Sequence, residues 1–261
     1  MRGQQSPLPH SPTTAGFEVA AGLLESGHPV VLACRSTARC EAARLRLQER
    51  CPAGPGAVCG PPLDLDDYQS IRAFARDLGE APVSILVNNA GMMGVGPPPE
   101  GGGGAGGDGH LRPNHLGPFL LTRLLLPRMA AGGRVVAVGS QAHRRGRLAF
   151  DGGGGLPPLP AGGLAGGLFR WYPEYARSKL ANLLFTAELA RRLEARGSGV
   201  TATCVSPGRV ATSIFGNVPA LLRGPLALLA RAAFQTPAQV MPCHAAPALA
   251  GPRWRKDPCP C

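Results

Sequence analysis

Four short apolar runs constrain this chain more than anything else in it: Pro29–Cys34, Val83–Val87, Arg134–Ser140 and Val200–Val205. Each is short, rich in β-branched residues and followed by a polar or glycine-containing turn, as a strand buried on both faces would be. Helical periodicity fills the intervals, over Gly16–Ser26 with Gly27 as its cap, Glu41–Arg50, Tyr68–Leu78, Leu116–Met129 and Glu174–Arg196, the longest. Val58–Leu63 is a weaker strand candidate, because Pro61-Pro62 remove two backbone donors. Strand–helix–strand alternation of this kind predicts an α/β fold with a parallel sheet covered on both faces. Ligands of such sheets sit beyond the carboxyl ends of the strands. Arg35, Asp64, Asn88, Ser140 and Pro207-Gly208 all fall at or just past predicted strand ends.

A length of 261 residues suits one large domain with a sizeable core. The expected layout is a disordered N-terminus over 1–12, one domain over 13–240 and an irregular tail over 241–261. Gly/Pro-rich insertions near 94–113 and 152–170 interrupt the domain, and Pro113 is expected to break the helix that carries Asn114. The net charge of +11 comes almost wholly from Arg, since Lys occurs only at Lys179 and Lys256. The arginines are spread along the chain without interleaved aromatics, which argues against a nucleic-acid groove. The eight cysteines form no C-x-x-C pair and no zinc spacing, so reduced thiols, no metal site and an intracellular setting are expected. No signal-peptide core or membrane-length apolar window is present in the sequence.

The chemistry centres on Tyr175-Ala176-Arg177-Ser178-Lys179. On a helix, a phenol and an ammonium four residues apart project from one face. A free phenol ionises only near pH ~10. A neighbouring fixed cation is expected to lower that value and make Tyr175 a proton donor and acceptor for a carbonyl/alcohol pair.

Asn88-Asn89-Ala90-Gly91, Asn114-His115-Leu116-Gly117, Ser140, Tyr175-x-x-x-Lys179 and Pro207-Gly208, in this order, resemble the short-chain dehydrogenase/reductase family. Leu32-Ala33-Cys34-Arg35, Ser178-Lys179-Leu180-Ala181-Asn182 and Phe234-Gln235-Thr236-Pro237 look like its retinol-dehydrogenase-like branch. The resemblance implies a Rossmann-like doubly wound parallel sheet and NADP (or NAD) as cofactor. It implies that Tyr175 exchanges the proton, Ser140 orients the carbonyl, Lys179 tunes Tyr175 and meets the nicotinamide ribose, and Asn114 holds a relay water. On the cofactor side it implies Gly16 at the pyrophosphate turn, Arg35 at a 2′-phosphate, Asp64 and Leu65 at the adenine, and Asn89, Ala90 and Gly91 along the adenosine half. Pro207, Gly208, Val210 and Thr212 would border the nicotinamide, and apolar Leu221–Phe234 would cover a lipophilic, retinoid- or isoprenoid-like substrate. Peripheral contact with the endoplasmic reticulum or a lipid droplet, and a homodimer, are the partners the resemblance suggests.

The sequence departs from the family pattern at its start. His10 and Thr14 stand where the first two glycines of the cofactor turn belong, and Met1–Pro9 cannot supply the first, central strand. A sheet lacking the first and last family strands is therefore expected, with strands on either side of a break left unpaired. A catalytically inactive truncated member or splice fragment that acts through protein contacts is the second reading of these losses.

Overall fold

The computed structural model describes residues 14–93, 109–152, 155–156 and 171–206. Helix α1, Thr14–Glu25, opens the described chain. Gly27, at φ 83°, ends it, and the N–H groups of Gly27 and His28 return to the carbonyls of Leu24 and Leu23. Strand β1, Val30–Leu32, leads to α2, Thr37–Arg50. This helix starts four residues before the expected Glu41, because Ser36 accepts a hydrogen bond from Arg39 N at its N-terminus. Strand β2, Ala57–Cys59, stops short of Pro61-Pro62, and Asp67 caps α3, Tyr68–Asp77, by accepting from Gln69 N. Strand β3 is Val83–Asn88.

The chain then passes through a π-helical turn, Arg112–Leu116, into α4, Gly117–Leu125. Pro113 therefore does not break the presentation of Asn114, contrary to expectation. It sits in the first turn of the element, where a missing N–H costs nothing, and the wide turn runs directly into α4. Strand β4, Met129–Val138, starts earlier than predicted. Helix α5, Trp171–Ala195, and strand β5, Thr201–Val205, complete the described elements.

All pairings are parallel, as the alternation predicted, but the strands form two sheets: β1 with β2, and β3–β4–β5 in that order. Leu63, Ile71, Phe74, Leu121 and Leu125 pack α3 and α4 together, and Val135, Leu189, Leu193 and Ala202 pack α5 on the larger sheet. Helix α1 also packs on the larger sheet: Val19 and Leu23 share a cluster with Val136, against which Val30, Ile85 and Val87 pack. Gly117 is where α4 approaches the chain leaving β2, and a Cβ there would collide with the Leu65 carbonyl oxygen.

One cysteine expectation is corrected. Cys40 and Cys59 form a disulfide, because packing of α2 on the β1–β2 pair brings their Cα atoms to 5.9 Å. Cys34, Cys51 and Cys204 are free thiols.

Candidate active site

Tyr175, Ser178, Lys179 and Asn182 recur at helical spacing along α5, and all four are buried. This stripe faces the carboxyl end of β4 and the Asn114 turn. The Ser140 side chain lies near enough to the Tyr175 hydroxyl to act on its ionisation. Ser140 in turn caps the short helix that follows β4, accepting from Ala142 N at 3.2 Å. Lys179 Nζ donates to Val138 O at 3.1 Å and lies 5.7 Å from the centroid of the Tyr175 ring. The structure thus brings Ser140, Tyr175 and Lys179 together at one strand end.

The electrostatics differ from expectation. Burial pushes the Tyr175 hydroxyl above the usual phenol value, the nearby Ser140 side chain partly offsets this, and Tyr172 adds to the rise. The Lys179 ammonium points to the Val138 carbonyl, which explains why it does not lower the phenol. Lys179 itself is 5% exposed. Its burial lowers its pKa from 10.5 to about 8, with the Cys204 sulfur acting in the opposite direction.

A stability signature follows. Between pH ~8 and ~10.5 the unfolded chain keeps the Lys179 proton while the folded chain releases it, so stability rises with pH across that window. The burial penalty is fully present below pH 8. Thermal unfolding of Lys179→Met beside the wild type should show the wild type gaining on the variant from pH 7.5 to pH 10. A constant difference would mean that the lysine titrates at its ordinary value.

Asn114 is fully buried. Its Oδ1 accepts from Met92 N at 2.7 Å, and its Nδ2 donates to Met92 O at 2.9 Å and Ser178 Oγ at 3.1 Å. Its backbone carbonyl accepts from Asn182 Nδ2 at 2.9 Å. In this arrangement the side chain holds the turn after β3 against α5. Asn182 also meets His115 Nδ1 through Oδ1 at 2.9 Å, and burial lowers the His115 pKa.

Gly91 sits where that turn passes the lysine. A Cβ added there would come within 3.3 Å of Lys179 Nζ and 3.5 Å of Asn114 Oδ1. Its absence leaves room beside a buried ammonium for which Val138 O is the one hydrogen-bond acceptor found among the described residues. Asn89 donates its N–H back to Val87 O at 3.1 Å, and Ala90 is exposed.

At the smaller sheet, Arg35 is 73% exposed and pairs with Asp64 at 3.8 Å. Asp64 Oδ1 accepts from Asp66 N, while Leu65 packs on the α3–α4 cluster. Gly16 lies in the first turn of α1. Pro207, Gly208, Val210, Thr212 and the stretch Leu221–Phe234 lie outside the described residues.

Sequence reasoning missed His110 and Glu174. His110 is buried, its Nδ1 is 3.1 Å from Glu174 Oε2, and its ring stands edge-on to Tyr175 with centroids 6.4 Å apart. Nothing in the glycine-rich sequence before His110 signals that contact. Asn182 was legible in principle, as a polar residue seven positions after Tyr175 on the buried stripe.

This arrangement can deliver a proton from a buried phenol to an oxygen atom at a strand end, beside an aliphatic hydroxyl and a cation. A family profile described as short chain dehydrogenase matches residues 13–151. The chain is 40% identical over 245 residues to dehydrogenase/reductase SDR family member 13 of Bos taurus, covering 91% of this chain and 60% of that protein. It is 41% identical over 206 residues to human retinol dehydrogenase 11, covering 77% of this chain and 59% of that protein. It therefore spans about 60% of the length of these relatives. Among solved structures, it resembles an uncharacterized protein of Mycobacterium paratuberculosis at 32% identity and TM-score 0.62, over 93% of this chain and 74% of that chain. It also resembles Pseudomonas aeruginosa RhlG in an active-site complex with NADP, at 25% identity and TM-score 0.65, over 92% of this chain and 86% of that chain. Among the described residues, no helix is long and apolar enough to cross a membrane.

Proposed function

The chain belongs to the short-chain dehydrogenase/reductase family, and from that premise we propose that it interconverts a lipophilic alcohol and its aldehyde or ketone with NADP(H) or NAD(H). The observation that carries this reading is the burial of Tyr175 and Lys179 together at the end of β4, with Lys179 Nζ bonded to Val138 O and 5.7 Å from the Tyr175 ring centroid. The residues present suit a dinucleotide along the carboxyl edge of the strands. Arg35 offers an exposed guanidinium, α1 begins without an acidic residue in its first turn, and the missing Cβ of Gly91 opens space beside Lys179.

When bound, the nicotinamide supplies or accepts the hydride. Tyr175 Oη–H gives its proton to the substrate oxygen as the carbonyl is reduced, and takes one back in oxidation. Ser140 Oγ, fixed by Ala142 N, donates to the oxygen on which negative charge develops. Burial keeps the phenol protonated at neutral pH, which favours reduction there and requires higher pH for oxidation. The Lys179 ammonium would hold a ribose hydroxyl of the cofactor. Asn114 keeps the turn after β3 in place through Met92.

The retinol dehydrogenase relative supports a retinoid- or isoprenoid-like substrate. The Leu-rich stretch Leu221–Phe234 supports contact with a lipid surface. Exposed Leu116 in the turn before α4, Phe119 on α4 and Leu184 on α5 would suit a second copy of the chain.

A fluorescence titration with NADPH tests the cofactor reading, and binding tighter than millimolar is expected. Arg35→Ala should weaken NADPH about tenfold to a hundredfold, the worth of one charge-assisted contact, and leave NADH unchanged. Equal loss for both cofactors would remove Arg35 from the 2′-phosphate site, and no binding of either would overturn the cofactor reading.

A further inference from the structure

Helix α2 is anchored unevenly. Its carboxyl-terminal end is held by packing: Leu47 and the following Cys51 share a cluster with Ala20, Ala21 and Leu24 of α1, against which Val30, Leu32 and Ala57 pack. Among the described residues, the first two turns of α2 add none to that cluster. Cys40 and Ala43 are buried there, and Cys40 is bonded to Cys59 at the end of β2.

That bond lies at the root of two loops. Arg35 precedes Cys40 on the way into α2, and Asp64 follows Cys59 on the way out of β2. Their side chains pair at 3.8 Å, but an exposed pair of this kind adds little rigidity. Two backbone bonds, Gly60 N to Leu32 O and Leu63 N to Cys34 O, join the chain leaving β2 to the chain leaving β1. Neither involves α2, so both hold the Asp64 side whatever the state of the sulfurs. What ties the first turn of α2 to the sheet is chiefly the sulfur bridge.

The two sulfurs are not equivalent. Cys40 is 2% exposed, whereas Cys59 is half-buried beside exposed Val58. An incoming thiolate therefore reaches Cys59. Attack on Cys59 Sγ forms a mixed disulfide and breaks the bond to Cys40, which leaves with the electron pair. Cys40 closes the first turn of α2, where the helix N–H groups favour a departing thiolate. Once protonated, it has Leu32 O as an acceptor 3.6 Å away. The second thiol of the reductant then attacks the reductant's own sulfur in the mixed disulfide and releases Cys59 as a thiol. The dithiol ends as its disulfide, and the protein has gained an electron pair and the matching protons. We infer that Cys40–Cys59 is a thiol–disulfide exchange site for a dithiol reductant, and that its reduction frees the first turn of α2 and with it Arg35. If Arg35 meets the 2′-phosphate as proposed, the same step loosens the hold on NADPH.

The test compares the full chain treated with oxidised dithiothreitol and then with reduced dithiothreitol, by peptide mass, hydrogen exchange and NADPH titration. The oxidised chain should give a linked Cys40–Cys59 peptide, and dithiothreitol should return both thiols without unfolding. Reduction should speed exchange of the Cys40 amide, bonded to Ser36 O, on the order of tenfold, while the Gly60 and Leu63 amides keep their rates. NADPH should weaken roughly threefold to tenfold, the cost of ordering one long side chain afresh, with NADH unchanged. Cys59→Ser should match the reduced chain and ignore dithiothreitol. Absence of the linked peptide, a link that dithiothreitol opens only in denaturant, or an unchanged Cys40 amide overturns the proposal. So does a Cys59→Ser chain that still responds, because another thiol pair would then be responsible. Faster Cys40 exchange with equal NADPH affinity in both states overturns the connection to Arg35. Faster exchange with no NADPH binding in either state sustains the exchange site and overturns the cofactor reading instead.

Discussion

Tyr175→Phe should lower turnover roughly a thousandfold, the middle of the range for removing a positioned proton donor. The fold should survive, because the substitution removes one hydroxyl from a residue that stays packed on Ala142 and Ala176. NADPH oxidation with retinal as the lipophilic aldehyde reads the rate, and thermal unfolding reads the fold. Turnover within tenfold of the wild type would remove Tyr175 from the proton step. The pH profile adds a second mark, since burial raises the phenol above its usual value. Oxidation of the alcohol by the wild type should therefore climb towards high pH, while reduction should persist through neutrality.

Asn114→Ala should be the most damaging single change to the fold. It strips Met92 N and Met92 O of their partner at a fully buried position and takes one donor from Ser178 Oγ, which keeps its bond to Tyr175 O. Unsatisfied buried groups cost about 1–3 kcal/mol each, so a loss of roughly 3–5 kcal/mol is expected in urea denaturation. The cofactor should weaken in parallel, because the turn after β3 loses its attachment to α5. Asn114→Asp separates the two causes, since it keeps the acceptor for Met92 N and loses both Nδ2 donors. A loss below 1 kcal/mol for the alanine variant would mean that water replaces the side chain.

The sequence made the larger sheet and its long helix plain. Val83–Val87, Arg134–Ser140 and Val200–Val205 carry enough β-branched residues to leave little alternative, and the Tyr175–Lys179 spacing places both groups on one helix face. Other features depend on contacts between distant segments. The Cys40–Cys59 bond needs α2 folded back on β2, which no cysteine spacing announces. The π-helical turn at Pro113 reads as a helix break until its neighbours are known. The ionisation of Tyr175 was misjudged because spacing gives proximity but not burial: burial raises the phenol while the Lys179 ammonium bonds the Val138 carbonyl instead. Val31 reads as core by composition and is half exposed, because burial of a strand depends on what lies beside it.

Placing Tyr175, Ser178, Lys179 and Asn182 on one helix has a mechanical consequence. Any rocking or sliding of α5 carries the acid, the cation and both amide-linked contacts as a single rod, so thermal motion can change their distance to a ligand but hardly their distance from one another. An insertion of one residue between 175 and 179 would swing the lysine about 100° around the axis and uncouple the set, whereas one placed after Asn182 would leave it whole.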